Sequence, residues 1–180
     1  MPYLLSPKLC RICKILAFLS LGVAIAFVCI AYKESLLSDI LDQNFQKIDS
    51  EHRDFIKETN LKSFGLKFIA FCSLATNVFI YFGIANIFLR MSGGRVFSLP
   101  TVKSIRVLGL IIIIYAGINI LSYPLMLGLW TYDNPTGHRL FSISLDAYQG
   151  LMLLLGGLFL IIGHIYTEAV RMAEENRQYV

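Results

Sequence analysis

The chain has 180 residues, of which 56% are hydrophobic and 16% are charged. A soluble domain carries about 25% charged residues, so this composition argues against a water-soluble globule. A mean hydropathy of +0.65 also excludes a disordered chain. We therefore expect a single all-α membrane domain that comprises residues 1–180.

Four apolar segments predict four transmembrane helices. A helix needs about 20 mostly apolar residues to cross the roughly 30 Å hydrocarbon core of a bilayer. Four segments meet this requirement without an Asp, Glu, Lys or Arg: residues 15–32, 68–89, 107–130 and 147–165. The predicted fold is a four-transmembrane-helix bundle, and Ser20 with Ala24, Gly150 with Gly157, and Gly156 with Gly163 are small-residue pairs that predict helix-packing seams.

The positions of Lys and Arg predict the orientation of these spans. If both termini are cytoplasmic, the inner segments carry nine basic and three acidic residues, and the outer segments carry seven basic and nine acidic residues. An excess of Lys and Arg marks cytoplasmic segments, so we expect both termini inside. The same excess accounts for the net charge of +4, and no direct nucleic-acid binding is expected.

The first outer loop, residues 33–62, is long and rich in charge. Leu37, Leu41, Phe45 and Ile48 recur near helical spacing, with acidic residues on much of the opposite surface. One interpretation is a pair of helices that lie on the outer membrane surface or extend the first two spans. The other is a cap over the bundle that receives a ligand or partner.

The inner loop, residues 90–106, contains signals for a turn and for a helix start. Gly93 and Gly94 permit a tight reversal of the chain. Ser98 is a candidate N-cap and Pro100 falls in the first turn, so a helix is expected to start near Leu99.

The charges at this inner end are expected to face the end of the fourth helix. Phe97 should pack beneath the bundle, which brings Arg95, Lys103 and Arg106 near Glu168, Glu174 or Glu175. Exposed pairs of this kind contribute no more than about 1 kcal/mol each. The alternative is that these charges are solvated independently and serve only the topology.

The second outer loop, residues 131–146, reads as a short link. Its sequence from Asp133 to Gly137 is a strong turn signal. Trp130 and Tyr132 precede this turn, and Tyr148 follows it where the chain returns to the bilayer. All three aromatic residues are expected to lie in the outer aromatic belt.

The fourth helix is expected to continue past the bilayer as a cytoplasmic tail, residues 166–180. Ile165, Ala169 and Met172 keep the helical spacing in this segment. Glu168 and Arg171 are three residues apart and can form an ion pair on one helix face.

No catalytic, metal or cofactor site is predicted. The four span cores lack the ionisable side chain that proton- or ion-coupled transport usually needs. Cys10 and Cys13 form a lone C-x-x-C motif without a second pair or a nearby His that would complete a zinc site. The chain is therefore expected not to be an enzyme.

Polar residues within the spans permit two interpretations. Asn77, Tyr81, Tyr115 and Asn119 either line a cavity for an apolar ligand or form hydrogen bonds between helices. The first interpretation predicts a small transporter subunit or an immunity-type protein. The second predicts a structural role.

The sequence resembles a known family at its inner end. The residues that carry the resemblance are Gly94 to Ser98, Arg106 to Gly109, and the tail from Glu168 to Val180. They are similar to the bacterial membrane family catalogued as domain of unknown function 2975. The resemblance implies a four-helix inner-membrane protein, often encoded beside a small helix-turn-helix regulator of the Cro type, and it implies no catalytic residues.

The resemblance directs attention to residues on the predicted cytoplasmic side. The positions that match the family's recurring motif are Gly94, Phe97, Ser98, Arg106, Gly109, Glu175 and Asn176. We therefore expect a membrane protein that senses an envelope or membrane condition and engages a cytoplasmic regulatory protein, with oligomerisation also permitted. The candidate partner-binding residues are Arg95, Phe97, Arg106, Glu168, Glu175 and Asn176.

Overall fold

The computed structural model describes residues 6–32, 46, 60–93, 98–135, 138–143 and 145–178. Four long α-helices run through these residues, and no strand occurs among them. They are α1 (Pro7–Tyr32), α2 (Asn60–Ser92), α3 (Leu99–Thr131) and α4 (Ala147–Gln178). This agrees with the predicted all-α class, and the described residues contain the four long helices that the apolar segments predict.

Each helix is long and apolar enough to cross a membrane. The segments that meet this requirement are Pro7–Cys29, Ser63–Ser92, Leu99–Thr131 and Ala147–Ala173. Their outward faces carry large apolar side chains, such as Phe18 at 70% exposure and Leu154 at 75%. Exposed apolar surface on this scale suits a multi-pass membrane protein.

Several helices begin earlier or end later than the apolar spans indicate. The first helix begins at Pro7, and α2 begins at Asn60 within the predicted outer loop and continues to Ser92. The Lys and Arg residues of these flanking segments are good helix formers, which favours a helical backbone beyond the apolar segments. Most of the first outer loop lies outside the described residues, and so do Gly94, Arg95 and Phe97.

The start of α3 agrees with the sequence signal. Ser98 has the extended backbone of an N-cap, and Pro100 lies in the first turn. The Ser98 hydroxyl does not cap a backbone amide, however. It forms a hydrogen bond of 2.9 Å with the Thr101 hydroxyl.

Extensive contacts among the described residues join helices that follow one another in the chain. The pairs are α1 with α2, α2 with α3, and α3 with α4. The face of α1 that meets α2 contains Cys13, Ala17, Ser20 and Ala24, all buried at the spacing of one helix face. This confirms the predicted Ser20–Ala24 seam, where the Ser20 hydroxyl donates a hydrogen bond of 2.7 Å to the Tyr81 carbonyl.

A hydrophobic cluster holds α2 and α3 together at the predicted outer end. It consists of Leu66, Ala70, Met126, Leu127 and Trp130. Trp130 is only 6% exposed, because its indole packs inside this cluster instead of facing outward.

Glycines bring α3 and α4 into close backbone contact. A Cβ atom on Gly109 would lie 2.9 Å from the Gly156 carbonyl oxygen. A Cβ atom on Gly163 would lie 3.3 Å from the backbone nitrogen of Arg106. The predicted seam through Gly156 and Gly163 therefore exists, whereas the one through Gly150 and Gly157 does not face another helix, because a Cβ atom on either residue would have nothing within 4 Å.

Candidate functional site

The end of α4 is the most charged surface among the described residues of that helix. Arg171 forms ion pairs with Glu168 and with Glu175, each at 3.4 Å. The Arg171 side chain is 65% exposed, and those of Glu168 and Glu175 are 38% and 60% exposed. The three side chains thus form an acidic, solvent-facing row along one face of the helix.

The pairing expected between α3 and the acids of α4 does not occur among the described residues. Glu168 and Glu175 instead pair with Arg171 on their own helix. Arg106 extends across Gly163, where its stem packs against the α4 backbone. Glu168 and Glu175 each lie about one helical turn from Arg171 on α4. Arg106 lies beside Gly163, more than one turn before Glu168.

The predicted partner-binding residues are thus only partly brought together. Arg106, Glu168 and Glu175 all lie toward the same end of the α3–α4 pair. The backbone of Asn176 continues α4, and its side chain lies outside the described residues. Arg95 and Phe97 are also outside them.

The predicted cavity residues form a hydrogen-bonded network between α2 and α3. The Ser73 hydroxyl donates to the Asn119 side-chain oxygen at 2.8 Å, and the Asn119 amide donates to the Tyr115 carbonyl at 2.8 Å. The Asn77 amide donates to the Tyr115 hydroxyl at 3.3 Å. The Ser73–Asn119 and Asn77–Tyr115 bonds join α2 to α3, which is the structural role that the sequence allowed for Asn77 and Asn119.

Tyr81 belongs to a different contact. Its ring stacks on Phe27 of α1, with 5.6 Å between the ring centroids and an angle of 28° between the planes. The Tyr148 hydroxyl of α4 interacts with the Tyr115 hydroxyl. The tyrosines therefore link each helix to the next one along the chain. Ser73 also belongs to the network, although the sequence did not predict it, because a Ser in an apolar span gives little signal.

The second outer loop folds back on the end of α3. The Thr131 hydroxyl donates to the Leu127 carbonyl at 2.8 Å and accepts a bond of 3.1 Å from the Leu140 amide. Asn134 is 1% exposed, and its side-chain amide donates to the His138 carbonyl at 3.1 Å. The described residues of this loop thus fold back on the end of α3, and Leu140 packs against the hydrophobic cluster.

No group of three or more His, Cys, Asp or Glu side chains is arranged to hold a metal ion in the part of the chain that the structure describes. Cys13 of the C-x-x-C motif is buried against α2 and has a free thiol. Comparisons with models of protein families, with curated proteins and with solved structures find no significant match for this chain.

Proposed function

We propose that this protein is a non-enzymatic bacterial inner-membrane protein that senses a membrane or envelope condition and passes it to a cytoplasmic partner through the end of α4. The observation that carries the proposal is the length of this helix. It runs unbroken through 32 residues, about 48 Å, whereas about 20 residues suffice to cross the bilayer core.

The charge of α4 is confined to the part that exceeds this length. No Asp, Glu, Lys or Arg occurs in α4 before Glu168. From there on the exposed row of Glu168, Arg171 and Glu175 is combined with Met172, which is 59% exposed. Met and Arg are enriched at protein–protein interfaces, which supports docking at the side of α4 that carries Arg171 and Met172.

The close contact between α3 and α4 supports the transmission step. Because the backbones are in contact at Gly109 and Gly156, the two helices have little room to move independently of each other. A change that tilts or shifts α3 in the bilayer would therefore move the end of α4 as well. The resemblance to the family catalogued as domain of unknown function 2975 favours a helix-turn-helix regulator of the Cro type as the partner.

Site-specific photo-crosslinking in intact cells tests this proposal. A photoreactive amino acid at Met172 should crosslink to a soluble protein of defined mass. The same amino acid at Leu154, which is 75% exposed in the apolar part of α4, serves as the matched control and should crosslink only to lipid. The substitutions E168Q and E175Q together should weaken the Met172 crosslink severalfold at unchanged protein level.

Removal of the end of α4 can contradict the proposal. If membranes that contain the protein with and without residues 171–180 yield the same crosslinked and co-purified partners, the end of α4 is not a docking element. A Met172 crosslink to lipid alone would also contradict the proposal, because this part of the helix would then lie in the bilayer.

A further inference from the structure

A groove of about 480 Å³ lies between the end of α2 and the start of α3. Its mouth is lined by Asn86 and Arg90 of α2 and by Lys103 of α3. Val107 and Leu108 of α3 also line it. The sequence counted Arg90 only among the inner basic residues and predicted that Lys103 lies near the acids of the fourth helix. Residues more than ten positions apart give no local sign that they share a groove.

The charges that line this groove are of one sign. Arg90 and Lys103 are both exposed, and no acidic residue contributes to the lining. The Arg90 Nε atom donates a hydrogen bond of 2.9 Å to the Asn86 side-chain oxygen, which holds the guanidinium group at the mouth. The first turn of α3 opens here too, so the positive end of its dipole adds to the field.

An apolar path leads away from the groove along α3. Val107, Leu110 and Ile114 recur on one face of the helix and are 54%, 52% and 48% exposed. Gly83 also lines the groove, and it lies seven residues before Arg90, or about 10 Å along α2. Cations at the mouth and an exposed apolar stripe beyond it correspond to the headgroup and acyl chain of a lipid.

We propose that this groove binds an anionic phospholipid, with the phosphate between Arg90 and Lys103 and an acyl chain along the stripe of Val107, Leu110 and Ile114. A water-soluble anion would use the cations but not the apolar stripe. The site does not depend on the docking of a protein to α4, so it goes beyond the function proposed above.

Lipid binding to the intact purified protein tests the site. Phosphatidylglycerol is titrated into the detergent-solubilised protein and bound lipid is counted by native mass spectrometry, with phosphatidylcholine as the neutral probe. The double variant R90Q/K103Q should bind phosphatidylglycerol about tenfold to thirtyfold more weakly. The control variant K8Q/K14Q removes two exposed cations of α1 that do not line the groove, and its affinity should stay within about twofold of the original.

Two further measurements keep the result interpretable. If R90Q/K103Q fails to fold, K103Q should still weaken phosphatidylglycerol binding, since Lys103 is exposed and its loss leaves the Arg90–Asn86 bond in place. Inorganic phosphate at the same concentration should not displace the lipid. Complete displacement by phosphate would overturn the lipid assignment, and so would equal losses in the groove and control variants or equal binding of the two lipids.

Discussion

Adjacent glycines on α4 occupy opposite surroundings, and this difference can be tested with the smallest possible substitution. A Cβ atom on Gly156 would lie 2.6 Å from the Ile113 Cγ1 atom and 3.0 Å from the Gly109 carbonyl oxygen. A Cβ atom on Gly157 would have nothing within 4 Å. The same chemical change therefore forces α3 and α4 apart at one position and fits freely at the next.

We expect G156A to lower the free energy of unfolding by about 1–3 kcal/mol, because an overpacked contact must displace backbone as well as side chain. G157A should have no destabilising effect and serves as the control. Thermal unfolding of the two variants in the same detergent measures the difference. Equal melting temperatures would contradict the close packing of α3 against α4.

The glycine pairs of α4 also show what a residue pattern can and cannot predict. Both seven-residue pairs on α4 were equally good sequence signals for a packing seam. Only Gly156 and Gly163 meet α3, since helix rotation places Gly150 and Gly157 on the open side. That rotation is set by how all the side chains of α3 and α4 interlock.

At the scale of elements, the loop that follows α3 depends on one buried hydroxyl. Thr131 is 1% exposed, and its hydroxyl bonds the Leu127 carbonyl inside the helix and the Leu140 amide in the returning loop. Leu140 in turn packs against the hydrophobic cluster. The Thr131 side chain thus connects the returning loop to the end of α3.

We expect T131V to destabilise the protein by about 1–3 kcal/mol, since a buried amide loses its partner while the shape of the side chain is kept. Hydrogen exchange should accelerate at the Leu140 amide before it does in the helices. The exposed Ser142, changed to Ala, is the control and should leave exchange unaltered. Unchanged protection of Leu140 in T131V would show that the loop is held by apolar packing alone.

The ends of α2, α3 and α4 illustrate a second point at this scale. Arg90, Lys103 and Arg106 all lie on helices, because α2 continues to Ser92 and α3 begins at Leu99. Their positions are therefore set by rigid elements. This rigidity is what allows two of them to line one groove while the third packs across α4.

For the whole molecule, four membrane crossings would place both termini on the same side of the membrane. The distribution of Lys and Arg predicts that this side is the cytoplasm. Fusions of a reporter that is active only in the cytoplasm should therefore be active at the N-terminus and at the C-terminus, and inactive when inserted after Asn134. Activity at one terminus only would mean that one of the four helices does not cross the bilayer.

The sequence by itself determined the class of the protein and the number of its helices. Four segments without charged residues, each long enough for a bilayer, leave few alternatives, because an apolar helix of this length has no other favourable environment. The start of α3 was equally readable, since the extended Ser98 and Pro100 in the first turn act through local geometry alone.

Only the tertiary structure decided which residues meet. It buried Trp130 in a cluster with α2, placed Arg106 against Gly163 instead of beside the acids of α4, and brought Arg90 and Lys103 to one groove. These outcomes depend on the rotation and axial offset of each helix against its neighbour. Apolar spans of similar composition do not encode those quantities locally, because they arise from the sum of many weak packing contacts.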